Sequence, residues 1–295
     1  MTPPRRSSIG VLPLLLAAAC SSDPATPSID GAAGDANAGG AGKSSTGAET
    51  CPAGTNPHSP PNPLPIGVVS GELVDEQGEP TTAGLVQICG LDVCNNANVG
   101  TNGKFVENVG VTIDTPACKF GDGFTWAKLA LPIAEGDTAL GTLVTVRLPE
   151  YEGAPSLTPG KTASSGGVSL ELAPSAHVQV NSLDYETEGE RGFRAVALPE
   201  AALTQLEMDF EVAFALSPLE TRICPSPSLS LENLTELDPG TELELYVLGL
   251  DASEELVPYA TWSKVGEGRV SEDGASLLFP EGVPVLTAIG VRVKP

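Results

Sequence analysis

The chain has 295 residues, of which 38 are acidic and 15 basic, for a net charge of −23. Such a balance repels phosphate backbones and anionic headgroups, which excludes nucleic-acid binding and electrostatic attachment to a membrane surface. Hydrophobic residues reach 41%, enough for globular cores, while 33 glycines and 27 prolines among many Val, Leu and Thr point to short strands joined by turns.

The first eight residues carry Arg5 and Arg6, and an apolar run from Ile9 to Ala19 follows, ending at Cys20. A short positive region, an apolar stretch and a small-residue exit form a secretory signal over residues 1–19. Eleven or so helical residues rise about 16 Å at about 1.5 Å each, short of the roughly 30 Å hydrocarbon core, so the run does not read as a permanent span. Leu16-Ala17-Ala18-Ala19-Cys20 resembles the lipobox of bacterial lipoproteins, with Ala17 at a position where Leu is commoner. The resemblance implies cleavage before Cys20 and acylation of its sulfur and new amine. Several acyl chains, at about 0.8 kcal/mol per buried CH₂, make a stable anchor. Ser21 follows the cysteine in place of Asp, which by the same resemblance implies the outer membrane.

Residues 20–65 then read as a disordered, lipid-bearing tether. About a third of residues 21–65 are Gly or Pro, and Ile29 and Leu64 are the large aliphatics. Such a segment cannot bury enough apolar surface to offset its ordering entropy. As flexible coil it spans roughly 35–40 Å. Asn37-Ala-Gly-Gly-Ala-Gly42-Lys43-Ser44 ends like a phosphate-binding loop, yet Asn37 stands where Gly is required and no strand or helix flanks it. Residues 30–37 hint at a calcium loop but lack its ligand spacing and closing Glu.

Over residues 66–150, Val69, Gly71 and Leu73 alternate with Ser70 and Glu72, the period of a half-buried strand. A turn at 75–80, a strand at 85–89, a hairpin turn at 101–104, a strand at 105–106, and further strands at 124–131 and 142–148 follow. This spacing predicts an antiparallel sandwich. Val69-Ser-Gly71-Glu-Leu-Val-Asp75-Glu-Gln-Gly78-Glu-Pro80, with Gly84-Leu-Val86 and Thr101-Asn-Gly103-Lys-Phe105, resembles the carboxypeptidase regulatory-like module. That family is a small transthyretin-like β-sandwich without an active site, usually structural or an accessory for glycan or protein binding.

Over residues 160–295, alternation at Val168/Leu170/Leu172, Val178/Val180, Phe210/Val212/Phe214/Leu216, Leu243/Leu245/Val247 and Ile289/Val291/Val293 predicts a second β-sandwich. Residues 199–207 alone read as helical. Gly166-Gly-Val168-Ser-Leu-Glu-Leu172-Ala-Pro174 is faintly similar to the opening of ZU5-like modules, which implies an interaction or structural domain. The fold class is therefore all-β: two antiparallel β-sandwich domains after a disordered linker.

With Cys20 acylated, five cysteines remain in a disulfide-permissive compartment. Cys89 and Cys94 flank a four-residue turn and are expected to bridge. Among Cys51, Cys118 and Cys224, the expectation is Cys51–Cys118. A C-x₄-C zinc site lacks a second ligand pair. No metal and no cofactor are expected. No catalytic residue is assigned: His58 lies in the tether, His177 shares a polar strand face with Gln179 and Asn181, and no nucleophile-elbow, S-x-x-K or H-E-x-x-H pattern is present. Trp126 and Trp262 offer sugar-stacking surfaces but read first as core. The leading reading is a non-catalytic, lipid-anchored envelope protein that binds or scaffolds, with the membrane and an envelope protein or polysaccharide as partners and no nucleic acid. A glycan-binding accessory protein and an enzyme of unrecognised type, using His177, stay open as alternatives.

Overall fold

In the computed structural model, seven strands come from the first half: β1 (Pro63–Val74), β2 (Val86–Cys89), β3 (Cys94–Ala97), β4 (Lys104–Asp114), β5 (Ala117–Phe120), β6 (Leu129–Pro132) and β7 (Gly136–Val144). The structure describes Cys51 and residues 59–295, except 83, 182–184, 186, 207 and 252. Cys20, His58 and the loop-like motifs at 30–37 and 37–44 lie outside the described residues. All described residues fall in one compact unit, Ala48–Pro295.

The seven strands form a sandwich of a β4-β1-β7 sheet and a β3-β2-β5-β6 sheet. Pairing is antiparallel throughout except between β1 and β7, which run parallel. Ile66, Val69, Leu73, Phe105, Ile113 and Leu143 from one sheet meet Val86, Ile88, Phe120, Leu129 and Leu131 from the other, all buried. The D-x-x-G-x-P stretch is a turn held by its own first residue. Asp75 Oδ1 accepts the N–H groups of Gln77 and Glu79, both at 3.0 Å, and Gly78 takes a φ of 82°, where a Cβ is disfavoured. Gly71 is required by close approach: a Cβ there would lie 2.7 Å from the Phe105 ring packed over it. The motif residues thus serve packing and turn geometry.

Two expected strands are displaced. Residues 124–127 form a loop, because Asp122 Oδ1 accepts the N–H groups of Phe124, Thr125 and Trp126, each at 2.8 Å, and holds the chain out of the sheet. The last strand begins at Gly136 and ends at Val144, so residues 145–148 leave the sheet.

The second half contributes β8 (Thr162–Ser165), β9 (Val168–Glu171), β10 (His177–Gln179), β11 (Arg194–Ala197), α1 (Glu200–Leu203), β12 (Val212–Ser217), β13 (Thr221–Cys224), β14 (Ser228–Glu232), β15 (Glu242–Leu248), β16 (Trp262–Val270), β17 (Ser276–Phe279), β18 (Val285–Leu286) and β19 (Ala288–Val293). Nine of these strands form one sheet, ordered β11-β12-β19-β15-β16-β17-β14-β9-β8. It curls until its ends nearly meet, where Ala195 N–H on β11 donates to Ser165 Oγ on β8 at 3.2 Å. The alternating apolar residues fill the inside of this barrel-like sheet, among them Val168, Leu170, Phe214, Leu231, Leu245, Val247, Leu277, Ile289 and Val291. A small β10-β13-β18 sheet adds Ile223, Val285 and Leu286 to the same core.

One part of the barrel's outer surface is apolar, with Ala213, Ala215, Leu248 and Ala288 joining the core of the first half. Small side chains there allow close approach. Polar clasps cross this seam. Lys119 Nζ, nearly buried, bonds both carboxylate oxygens of Asp251 at 2.8 Å, Tyr185 Oη donates to the Gly123 carbonyl at 2.8 Å, and Gln205 pairs with the Val144 backbone in both directions.

Cys89 and Cys94 are disulfide-bonded across the β2–β3 hairpin, where they sit directly opposite each other. The expected Cys51–Cys118 pairing is corrected: Cys51 bonds Cys224, with Cα atoms 5.5 Å apart, and Cys118 is free. The reason lies in strand alternation. Cys118 is in register with Ile88 and Leu131 on the inward face of β5 and is fully buried in the sandwich. Cys224 is half-buried on β13. The expected tether over residues 20–65 is corrected at its end: β1 already begins at Pro63, and the bridge ties Cys51 to the folded body. Beyond it, Ser59 N–H donates to Glu254 (2.9 Å) and Ser59 Oγ accepts the Tyr259 N–H (2.7 Å).

Candidate functional site

His177 lies on β10 opposite Cys224, and its carbonyl is 3.7 Å from the Cys51 sulfur. Its imidazole makes no side-chain hydrogen bond among the described residues, so no formed serine–histidine–acid relay is seen there. Among the described residues, no three His, Cys, Asp or Glu side chains gather to hold a metal ion.

Most of the aromatic side chains are buried; Phe124, Trp126, Tyr151, Tyr246 and Trp262 are not. Two of these five share the outer face of the barrel. On β15, Leu243, Leu245 and Val247 point inward, which turns Glu242, Glu244 and Tyr246 outward. On β16, the register places Arg269 beside Glu242, Glu267 beside Glu244, Lys264 beside Tyr246 and Trp262 beside Leu248. A register shift between Leu245 and Tyr246 keeps Lys264 and Glu267 on the same side. Phe210 completes an aromatic step, 5.8 Å from Tyr246 and 4.7 Å from Trp262 between ring centroids. It lies over Gly290 of β19, where a Cβ would come within 2.6 Å of its ring.

Beside the step is an ordered polar network. Tyr246 Oη donates to one oxygen of Glu244 at 2.9 Å, and Lys264 Nζ donates to the other at 2.8 Å. Lys264 also bonds Glu267 at 2.6 Å, and Lys294 bonds the second oxygen of Glu267 at 2.9 Å. The hydrogen bonds from Lys264 and then Tyr246 hold the Glu244 carboxyl below its usual range. Those from Lys264 and Lys294 bring Glu267 down to about 2. Lys264 is raised by Glu244 and Glu267. Tyr246 is raised by burial and by Glu244.

The face continues as a shallow trough. A hollow of about 580 Å³ adjoins Lys264, Glu267, Pro280 and Glu281. Another of about 450 Å³ lies between Glu242, Glu267, Arg269, Leu278 and Lys294. A third, of about 390 Å³, is lined by Thr162, Ser169, Glu171, Ser228 and Ser230 around Leu278 and Pro280. Shared residues make the hollows contiguous. From β9 to β19 the face crosses six strands, roughly 24 Å at about 4.8 Å per strand spacing. Its chemistry is hydroxyl, carboxylate and ammonium over a small apolar floor, with aromatic rings at one end.

Of the two residues considered from sequence, Trp262 belongs to this face. Trp126 does not; it is half-buried on the loop before β6. Glu244, Tyr246 and Lys264 were not singled out, and Phe210, expected to share a face with Val212, Phe214 and Leu216, instead precedes β12 and packs with the other core. The available signal was Tyr246, an aromatic residue in the polar register of its strand.

No family model matches the chain, and no curated protein matches it. The carboxypeptidase regulatory-like and ZU5-like resemblances are therefore not family assignments. Among solved structures, the chain is similar to a Bacteroides uniformis ATCC 8492 protein described as a "putative carbohydrate binding protein", at 11% identity, covering 78% of this chain and 100% of that one with a TM-score of 0.22. It is also similar to a DUF3823 family protein of Bacteroides ovatus ATCC 8483, at 7% identity, covering 74% and 97% with a TM-score of 0.19. At scores this low, neither likeness bears on what this chain does.

Proposed function

We propose that the chain is an exported, lipid-anchored envelope protein whose barrel face binds an uncharged glycan chain without transforming it. The observation that carries the reading is the Tyr246–Glu244–Lys264 network beside Trp262, opening onto the hydroxyl-lined trough. Part-exposed rings offer an apolar surface to the C–H face of a sugar. A carboxylate already held by two donors is positioned to accept from sugar hydroxyls, and such preorganisation lowers the ordering cost of binding. The net charge of −23 disfavours polyanionic glycans.

The electrostatics favour binding over hydrolysis. A glycosidase needs one carboxylic acid that keeps its proton near neutrality. Glu244 and Glu267, neighbours across β15–β16, are both shifted the other way. Acylation at Cys20 and a tether ahead of Cys51 rest on the sequence of residues 1–50, and the two disulfides fit an oxidising compartment. The first half is read as a carboxypeptidase regulatory-like module, on the turn and packing roles of Gly71, Asp75, Gly78 and Phe105.

Native gel migration through gels cast with neutral polysaccharides tests the reading. Retardation by one polysaccharide, weakened at least tenfold (about 1.4 kcal/mol) in Trp262→Ala, is expected. Equal migration in every gel would refute it. For the anchor, Cys20→Ala is expected to move the protein from the membrane to the soluble fraction; an unchanged membrane fraction would refute acylation.

A further inference from the structure

The three remaining aromatics that are not buried, half-buried Phe124 and Trp126 and exposed Tyr151, lie on two neighbouring segments away from the barrel face, and hydrogen bonds fix the backbones of those segments. Asp122 holds the loop of Phe124 and Trp126 by three backbone hydrogen bonds of 2.8 Å. Leu148 N–H donates to the Thr125 carbonyl at 2.9 Å, and Trp126 bridges Arg147, which ties this loop to the segment carrying Tyr151. Arg194 reaches in from β11 with 1% exposure. Its guanidinium donates to the carbonyls of Phe124 (2.6 Å) and Pro149 (3.3 Å), so one buried cation pins both segments. It also lies 5.1 Å from the Phe124 ring centroid, behind the ring.

The result is a tilted ring pair, Phe124 and Tyr151 at 5.3 Å, with Tyr151 41% exposed. Arg147 and Glu150, ion-paired at 2.9 Å, form a polar rim next to it. Tyr185 backs Phe124 from the buried side at 6.2 Å. A rigid aromatic pair with charged hydrogen-bonding groups at its rim repeats the chemistry of the barrel face on separate elements.

We infer that this seam platform is a second contact for the same class of ligand, an uncharged pyranose chain, so that the protein engages its glycan at two points. The inference rests on the reading of the barrel face as a glycan site. Two linked contacts raise the avidity for a long chain without any new interaction.

The chain's two tryptophans make the test direct, because Trp262 lies in the aromatic step of the barrel face and Trp126 lies two residues from Phe124 on the loop that Asp122 holds. In the full chain, Trp262→Phe leaves Trp126 as reporter of the seam, and Trp126→Phe leaves Trp262 as reporter of the barrel face. Each is titrated with maltohexaose, cellohexaose, xylohexaose and mannohexaose. A saturable change in Trp126 emission, weakened at least tenfold by Tyr151→Ala and retained in Tyr151→Phe, is expected. A response of Trp262 with none from Trp126 would overturn the second site and leave the first standing. Silence of both reporters would overturn both readings.

Discussion

Replacing Cys51 and Cys224 together by serine removes the covalent link between Cys51 and β13. The bridge spans a sequence separation of 173 residues. Loop-closure entropy for a loop of that length gives about 5 kcal/mol of stabilisation at 25 °C. The Cys89–Cys94 bridge spans 5 residues, for which the same relation gives about 2 kcal/mol. The double variant Cys51→Ser/Cys224→Ser is therefore expected to lose more than twice the stability lost by Cys89→Ser/Cys94→Ser. Urea unfolding of the non-reduced full chain, followed by tryptophan emission, measures both. Equal losses, or a larger loss from the short bridge, would show that the long bridge does not constrain the unfolded chain as the structure requires.

Arg194→Met should cost about 1–3 kcal/mol, because the part-buried carbonyls of Phe124 and Pro149 and the buried Ser217 hydroxyl lose a charged donor; an unchanged urea midpoint would refute the role of Arg194. Gly71→Ala should cost about 1–3 kcal/mol by forcing a methyl against the Phe105 ring, read in the same assay. Glu267 is lowered from 4.5 to about 2, so its contribution is complete above about pH 4.5 and is lost as pH falls toward 2. Glu267→Gln should flatten that limb of a low-salt stability profile, and an identical limb would contradict the Lys264–Glu267–Lys294 network. The Cys118 thiol is raised by burial from 9.0 to about 12, so stability present below pH 9 is lost as pH climbs toward 12. Cys118 should resist iodoacetamide in the folded protein and react after unfolding; mass spectrometry showing alkylation of the native form would contradict its burial.

Strand content was legible wherever one strand face is buried, because alternation such as Leu243/Leu245/Val247 directly reports a half-buried strand. The same logic placed 129–131 in a strand correctly but misplaced residues 124–128, where three apolar or aromatic residues sit on a loop wound by a single carboxylate, Asp122. Such capping depends on side-chain geometry that periodicity does not record. The curling of nine strands into one sheet was likewise hidden, since each strand looks the same in an open sandwich. Cys118 was mispaired because spacing says nothing about which face of β5 a cysteine occupies. The candidate site was half legible: Trp262 was visible as an aromatic residue, and Tyr246 stood in a polar register. Their meeting with Phe210, Glu244 and Lys264 needs the register of β15, β16 and β19, set by long-range pairing.

The most direct test of the glycan-binding reading is a nitrogen-15 NMR titration of the full chain with the polysaccharide that retards it in native gels. Amide shifts concentrated at residues 244–246, 262–267 and 228–230 are the predicted result. Shifts confined to other surfaces, with this face silent, would contradict the assignment of the barrel face as the binding site.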